Sequence, residues 1–134
     1  MLPGTDFPGL GVNLIINRGG KTLLYKRVKP LEADHWSFVG GKIDLMEPAE
    51  AAARREAQEE TGLIIGQMQF LTVLERIHPE NNQHWLLMIY KSEDICGDPK
   101  LMEPDKLSDF GWFASDSLPE PLSAVVKAAL PFLG

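Results

Sequence analysis

The chain has little cysteine, no long hydrophobic run and too few basic residues to balance its acids. Its one cysteine, Cys96, cannot form a disulfide within the chain, and a reducing cytoplasmic location is expected. The longest unbroken apolar run, residues 85–90, is far short of the roughly 20 residues that cross a bilayer. The Met-Leu-Pro-Gly start lacks the basic-then-apolar layout of a signal peptide. Thirteen Lys and Arg against 19 Asp and Glu leave a net charge of −6, whereas a protein that grips a nucleic-acid polymer by neutralising phosphates needs a basic face. The dispersed histidines His35, His78 and His84, with a single cysteine, supply no structural-zinc spacing. Membrane, secreted and polymer-binding readings fall away. The acidity is then either spread over the surface or gathered where a cation could sit.

What remains is a 134-residue chain, 44% apolar, long enough for one core and without repeats or Ser/Gly linkers, so residues 1–134 are expected to form one domain. Residues 9–17 and 21–27 read as strands joined by turn residues Gly19-Gly20, which predicts a hairpin. A short apolar stretch over 36–39 ends in Gly40-Gly41. Pro48 sits where a helix can begin, residues 49–60 are strong helix formers, and Gly62 suits a left-handed cap. Residues 63–77 and 83–91 read as antiparallel strands around a polar turn at 79–82, and 108–113 reads as another strand. Residues 122–130 carry apolar side chains at helical spacing. Strands with one helix in mid-chain and another at the end predict an α/β or α+β sandwich.

The 49–60 helix carries the chemistry. At about 100° per residue, Glu56, Glu59 and Glu60 share an arc of about 100° on one face. Like charges this close repel, so something positive should compensate. Arg55 flanks the arc and can pair with one carboxylate, and a hard divalent cation with oxygen ligands can serve the rest, magnesium better than zinc.

The spacing of Gly41, five residues, Glu47, seven residues, Arg55-Glu56-Ala57, one residue, Glu59-Glu60, one residue, Gly62-Leu63 resembles the Nudix box at every position. The stretch 23–27, Trp36 before Gly40-Gly41, and the tail from Glu103-Pro104 through Gly111-Trp112-Phe113 to Leu118-Pro119 also look like MutT-type Nudix hydrolases. The resemblance implies a Nudix-type α/β/α sandwich with a mixed β-sheet and a loop-helix-loop catalytic box over 41–63. It also implies hydrolysis of a nucleoside diphosphate linked to some group X. It points to Glu56, Glu59, Glu60 and the Gly40 carbonyl as holders of Mg2+, with Mn2+ as a substitute and Glu47 as an outer contributor. Glu59 is the candidate general base, with Glu56 also in play; Arg55 orients the glutamates, and Arg27 touches substrate phosphate. The physics agrees, since a carboxylate patch can bind pyrophosphate only with cations between them.

Val39 stands where many relatives have proline before the glycine pair. Leu107 stands where some carry a further metal-binding glutamate, so that Glu103 or Asp105 would have to substitute. Trp36, Trp85 and Trp112 read as core residues, His84 as structural or surface, and Cys96 as lacking a catalytic partner. The first functional reading is cleavage of a nucleoside triphosphate to the monophosphate and pyrophosphate. The alternative is an ADP-ribose or nucleotide-sugar pyrophosphatase: Pro79 lies near the position where that group carries a proline, but Glu80 follows it in place of a Pro-Gly pair. A third, a catalytically silent Nudix-like binding domain, should have lost box carboxylates that this chain keeps. The expected partner is a small nucleotide, with no membrane or polymer, and a homodimer is left open.

Overall fold

The computed structural model describes residues Met1–Gly134. Strands β1 (Gly9–Arg18) and β2 (Lys21–Arg27) form the expected hairpin. Gly19 and Gly20, at φ 59° and 77°, supply the positive dihedrals of a two-residue turn whose twist matches the strands. The two strands pair only at Asn17↔Thr22 and Arg18↔Lys21 and then part. Two short strands occupy the fork: β3 (Trp36–Ser37) pairs with β2, and β4 (Val39–Lys42) pairs with β1. Gly40 and Gly41 thus lie inside a strand instead of merely ending an apolar stretch. A Cβ on Gly40 would collide with the Val12 carbonyl, and one on Gly41 with the Glu56 carboxylate, so only glycine lets the backbones approach here.

Helix α1 (Ala49–Thr61) follows, with Pro48 at its N-cap and Gly62 at φ 75° returning its N–H to the Gln58 carbonyl. Ala52, Ala53 and Ala57 are fully buried beneath it, small enough to bring the helix axis close to the sheet. The single strand expected over 63–77 is divided. β5 (Ile64–Ile65) joins a separate two-stranded ribbon, and β6 (Gln69–His78) joins the main sheet. The break is at Gly66 and Gln67, whose amides are taken by the Asp94 carbonyl and carboxylate. β7 (Gln83–Ser92) pairs antiparallel with β6 and parallel with β1, β8 (Ile95–Cys96) pairs with β5, and β9 (Leu107–Phe113) pairs antiparallel with β2. The main sheet is therefore mixed, with the path β3-β2-β1-β7-β6, β4 beside β1 and β9 beside β2.

The closing helix α2 spans only Ala124–Ala128, capped by the Ser123 hydroxyl, which accepts the Val126 N–H. Leu130–Phe132 tightens into a 3₁₀ turn because Pro131 has no N–H to continue the ladder. Helix α1 covers one face of the sheet through Val12, Leu14, Leu23, Tyr25 and its alanines. α2 covers the other through Ile15, Leu24, Phe38, Leu87 and Ile89, with Trp85 in the same cluster. The expected α/β/α sandwich is what forms. No helix is long and apolar enough to cross a membrane.

Candidate active site

The fork between β1 and β2 opens a cleft of about 270 Å³. Gly40, Gly41, Glu60, Arg27, Glu32 and Arg76 line it, with apolar walls from Phe38, Trp85 and Leu87.

Helix α1 presents its carboxylates here at different depths. Glu60, 7% exposed, accepts the Gly40 N–H at 2.8 Å. Burial, reinforced by the charges of Glu56 and Glu103, pushes its carboxyl up to about 8 against the lowering effect of that N–H. Glu56 lies half-buried against the Gly41 backbone. Burial raises its pKa while its contact with Arg55 pulls the other way. Glu59 is exposed and stands outside the cleft lining.

Arg55 gathers the remaining acids. It donates to both oxygens of Glu47, Nε at 2.7 Å and Nη2 at 2.9 Å, and through Nη1 to Glu56 at 2.9 Å and Glu59 at 3.5 Å. Its hydrogen bonds to Glu47 take that carboxyl down to about 2, and the Arg55 pKa rises correspondingly. The Asp44 N–H also donates to Glu47, fixing the loop that precedes the helix.

No three acidic or histidine side chains converge as closely as metal ligation requires. The donor chemistry nevertheless fits a hard divalent cation. Glu56 and Glu60 are two neighbouring carboxylates whose burial works against their charged forms, a cost that a cation between them would offset. The glycine pair beside them leaves backbone without side chains. Glu103 is partly buried, pairs with Lys106 at 3.6 Å and acts electrostatically on Glu60, whereas Asp105 is exposed and Leu107 is buried in the core. Of the two candidate substitutes for the outer glutamate, Glu103 is the one near the helix carboxylates.

Arg27 lines the cleft, its Nε donating to the Leu31 carbonyl at 3.0 Å. Arg76 and Glu32 also line it, and sequence reasoning passed over both. The signal was present for Arg76: on β6 it continues the inward-facing series of Thr72 and Leu74, where an apolar residue is the ordinary choice. For Glu32, in a loop, the sequence held no such signal.

An acid-bearing helix set by a glycine pair against a forked mixed sheet, with helices on both faces, defines a Nudix-type hydrolase fold. The chain belongs to the NUDIX domain family, whose model matches residues 7–132. The crystal structure of a MutT NUDIX hydrolase from Burkholderia pseudomallei superposes with a TM-score of 0.92 at 38% identity, covering 94% of this chain and 98% of that one. An oxidized purine nucleoside triphosphate hydrolase from Danio rerio is 26% identical over 106 residues, covering 79% of this chain and 66% of its own length. An NAD-capped RNA hydrolase NudC from Yersinia pestis is 28% identical over 108 residues, covering 81% of this chain and 39% of its own length. The chain thus spans less than two thirds of either of these two relatives.

Proposed function

We propose that this protein hydrolyses a nucleoside triphosphate to the monophosphate and pyrophosphate in a Mg2+-dependent reaction, with Mn2+ able to substitute. One observation carries the reading: Glu56 and Glu60 are held against the side-chain-free backbone of Gly40 and Gly41, at a cleft that also contains Arg27. Glu56, Glu59, Glu60 and the Gly40 carbonyl would hold the cation, with Glu103 as an added oxygen donor. Bound there, it would polarise the phosphoryl oxygens and screen the pyrophosphate from the carboxylates.

The chain's own residues supply the rest. Arg55 fixes the rotamers of Glu56 and Glu59 and ties them to Glu47, which acts from outside through that pairing. Of the two candidates for general base, Glu59 takes the role, exposed to water and less engaged by Arg55 than Glu56 is. Glu56, half-buried against Gly41, is the second candidate. Arg27 supplies positive charge to a phosphate lying in the cleft.

The name of the Danio rerio relative supports a triphosphate substrate. The retained Glu47, Glu56, Glu59 and Glu60 speak against a silent binding domain. The lone Cys96 and the absence of a long apolar segment support a cytoplasmic setting. The test is a product-resolved panel of canonical and oxidised nucleoside triphosphates, ADP-ribose, nucleotide sugars and dinucleoside polyphosphates with Mg2+. Monophosphate and pyrophosphate from triphosphates alone is the expected profile. Strong cleavage of ADP-ribose overturns the substrate class, and no product from any member of the panel overturns the enzyme.

A further inference from the structure

At the part of the cleft lined by Arg76 and Glu32, the donors outnumber the acceptors that could take them. Arg76 Nε is buried without any hydrogen-bond partner. Its only ion-pair neighbour is Glu32, whose Oε1 lies 3.7 Å from Arg76 Nη1. The other oxygen of Glu32 accepts the Ala124 N–H at 2.7 Å, at the start of α2, so the carboxylate is fixed from behind, with its nearer oxygen beyond hydrogen-bond distance of the guanidinium. Burial and the nearby charge of Arg27 both work against the Arg76 cation, with Glu32 alone in its favour. The buried Nε leaves the guanidinium incompletely satisfied, and the side chain, 24% exposed at the cleft, has donors within reach of an acceptor that enters there.

The sheet register says which part of a nucleotide that is. Gly40, whose N–H binds Glu60, lies opposite Asn13 on β1, whereas Arg76 lies opposite Trp85, which lies opposite Gly9. Four residues of β1 separate the two rungs, about 13 Å along the strand, and Arg76 on β6 lies three strands across from Gly40 on β4. With the pyrophosphate at the Glu60 end, as proposed above, that separation sets Arg76 on the nucleoside's side of the cleft. Phe38, Trp85 and Leu87 make the intervening walls apolar, suited to the faces of a base and not to a phosphate.

We infer that Arg76, held by Glu32, is a specificity-determining residue that donates to a ring carbonyl of the nucleobase, so that the protein prefers keto bases over their amino counterparts. An amino group at the same ring position would turn a donor towards the guanidinium donors and leave them without an acceptor. The inference rests on the functional reading above for its orientation, but its test does not need turnover.

Inosine and adenosine nucleotides make the cleanest probe, since at ring position 6 they carry oxygen and an amino group respectively. kcat/KM for inosine triphosphate is expected to exceed that for adenosine triphosphate by about tenfold or more. Arg76→Met should bring the two to near equality, chiefly by raising KM for the inosine substrate. Arg76→Lys keeps the charge without the guanidinium fork and should recover only part of the preference. In parallel, titrating the chelator-treated protein with inosine and adenosine monophosphates, followed by NMR, reads the same preference without catalysis. If no substrate turns over but inosine monophosphate still binds more tightly and Arg76→Met removes the difference, the functional reading fails and this one stands. Equal affinities for the two bases in the parent protein overturn it. So does an Arg76→Met variant, folded by thermal melt, that weakens both nucleotides and inorganic triphosphate alike, which would make Arg76 an anion contact.

Discussion

Glu60 offers a test of the site that can be made with the metal removed. In the folded chain its carboxyl titrates at about 8, raised from 4.5. Between those values the native state holds a proton that the unfolded chain has released, so unfolding becomes easier as pH rises. The stabilisation is fully present below 4.5 and is lost as pH climbs through about 8. The slope is about 1.4 kcal/mol per pH unit inside the window. For a domain of this size that corresponds to roughly 5 °C of melting temperature per unit. Glu60→Gln keeps an oxygen to accept the Gly40 N–H but cannot ionise. Thermal denaturation followed by circular dichroism in chelator, at pH 5, 6, 7 and 8, should show the parent losing stability steadily and the variant losing much less. Glu56, raised in the same direction, leaves a residual slope in both. The variant should equal the parent near pH 5 and exceed it at pH 8, while hydrolysis with Mg2+ falls at least a hundredfold. Parallel pH slopes for the two proteins, or a variant less stable at pH 8, would refute the argument that burial holds this carboxyl protonated.

Chelation of divalent cations should abolish hydrolysis, and Mg2+ or Mn2+ should restore it, measured by release of monophosphate. Gly41→Ala drives a Cβ into the Glu56 carboxylate and should cost about 1–3 kcal/mol by denaturant titration, with hydrolysis reduced at least tenfold. The Glu47 carboxyl, held down to about 2 by Arg55, should be followed by carbon NMR. Its pairing is present above the ordinary carboxylate range and lost only as pH falls through about 2. In Arg55→Ala its midpoint should return towards 4.5, and an unchanged midpoint would show that the guanidinium is not the cause. The same variant should lower hydrolysis at least tenfold, because Glu56 and Glu59 lose the group that orients them.

The parts of the fold visible in the sequence were those fixed by local chemistry. The hairpin announces itself through Gly19-Gly20, and α1 through Pro48, its alanines and Gly62, because turn dihedrals and caps depend on near neighbours. The division of 63–77 was hidden because the group that interrupts the strand, Asp94, lies 27 residues beyond Gln67 and meets it only in the folded chain. Gly40 and Gly41 read as the end of an apolar stretch, yet they form a strand, since what demands glycine there is the approach of Val12 and Glu56 from other elements. The helical arc correctly grouped Glu56, Glu59 and Glu60. It could not rank them by depth, because a projection gives direction around an axis and not distance from the sheet. Arg27 was found through the resemblance of the stretch 23–27 to MutT-type hydrolases. Arg76 carried a signal in the alternation of its strand, but what it faces came only with the register that placed it opposite Trp85.

The fork in the sheet also has the mechanics of a lever. Its vertex is the pair Asn17 and Thr22, both 2% exposed and joined by a side-chain hydrogen bond of 2.8 Å. From Thr22 to Arg27 the arm is about 17 Å long, so a tilt of two degrees at the vertex moves the tip by about 0.6 Å. Displacements of that order approach those at which reacting groups lose alignment. Asn17 and Thr22 touch none of the chemistry, yet a substitution such as Thr22→Val would change the aperture between the jaws that Arg27 and Gly40 form. Selection on substrate fit would therefore be felt at a buried polar pair at the opposite end of the hairpin.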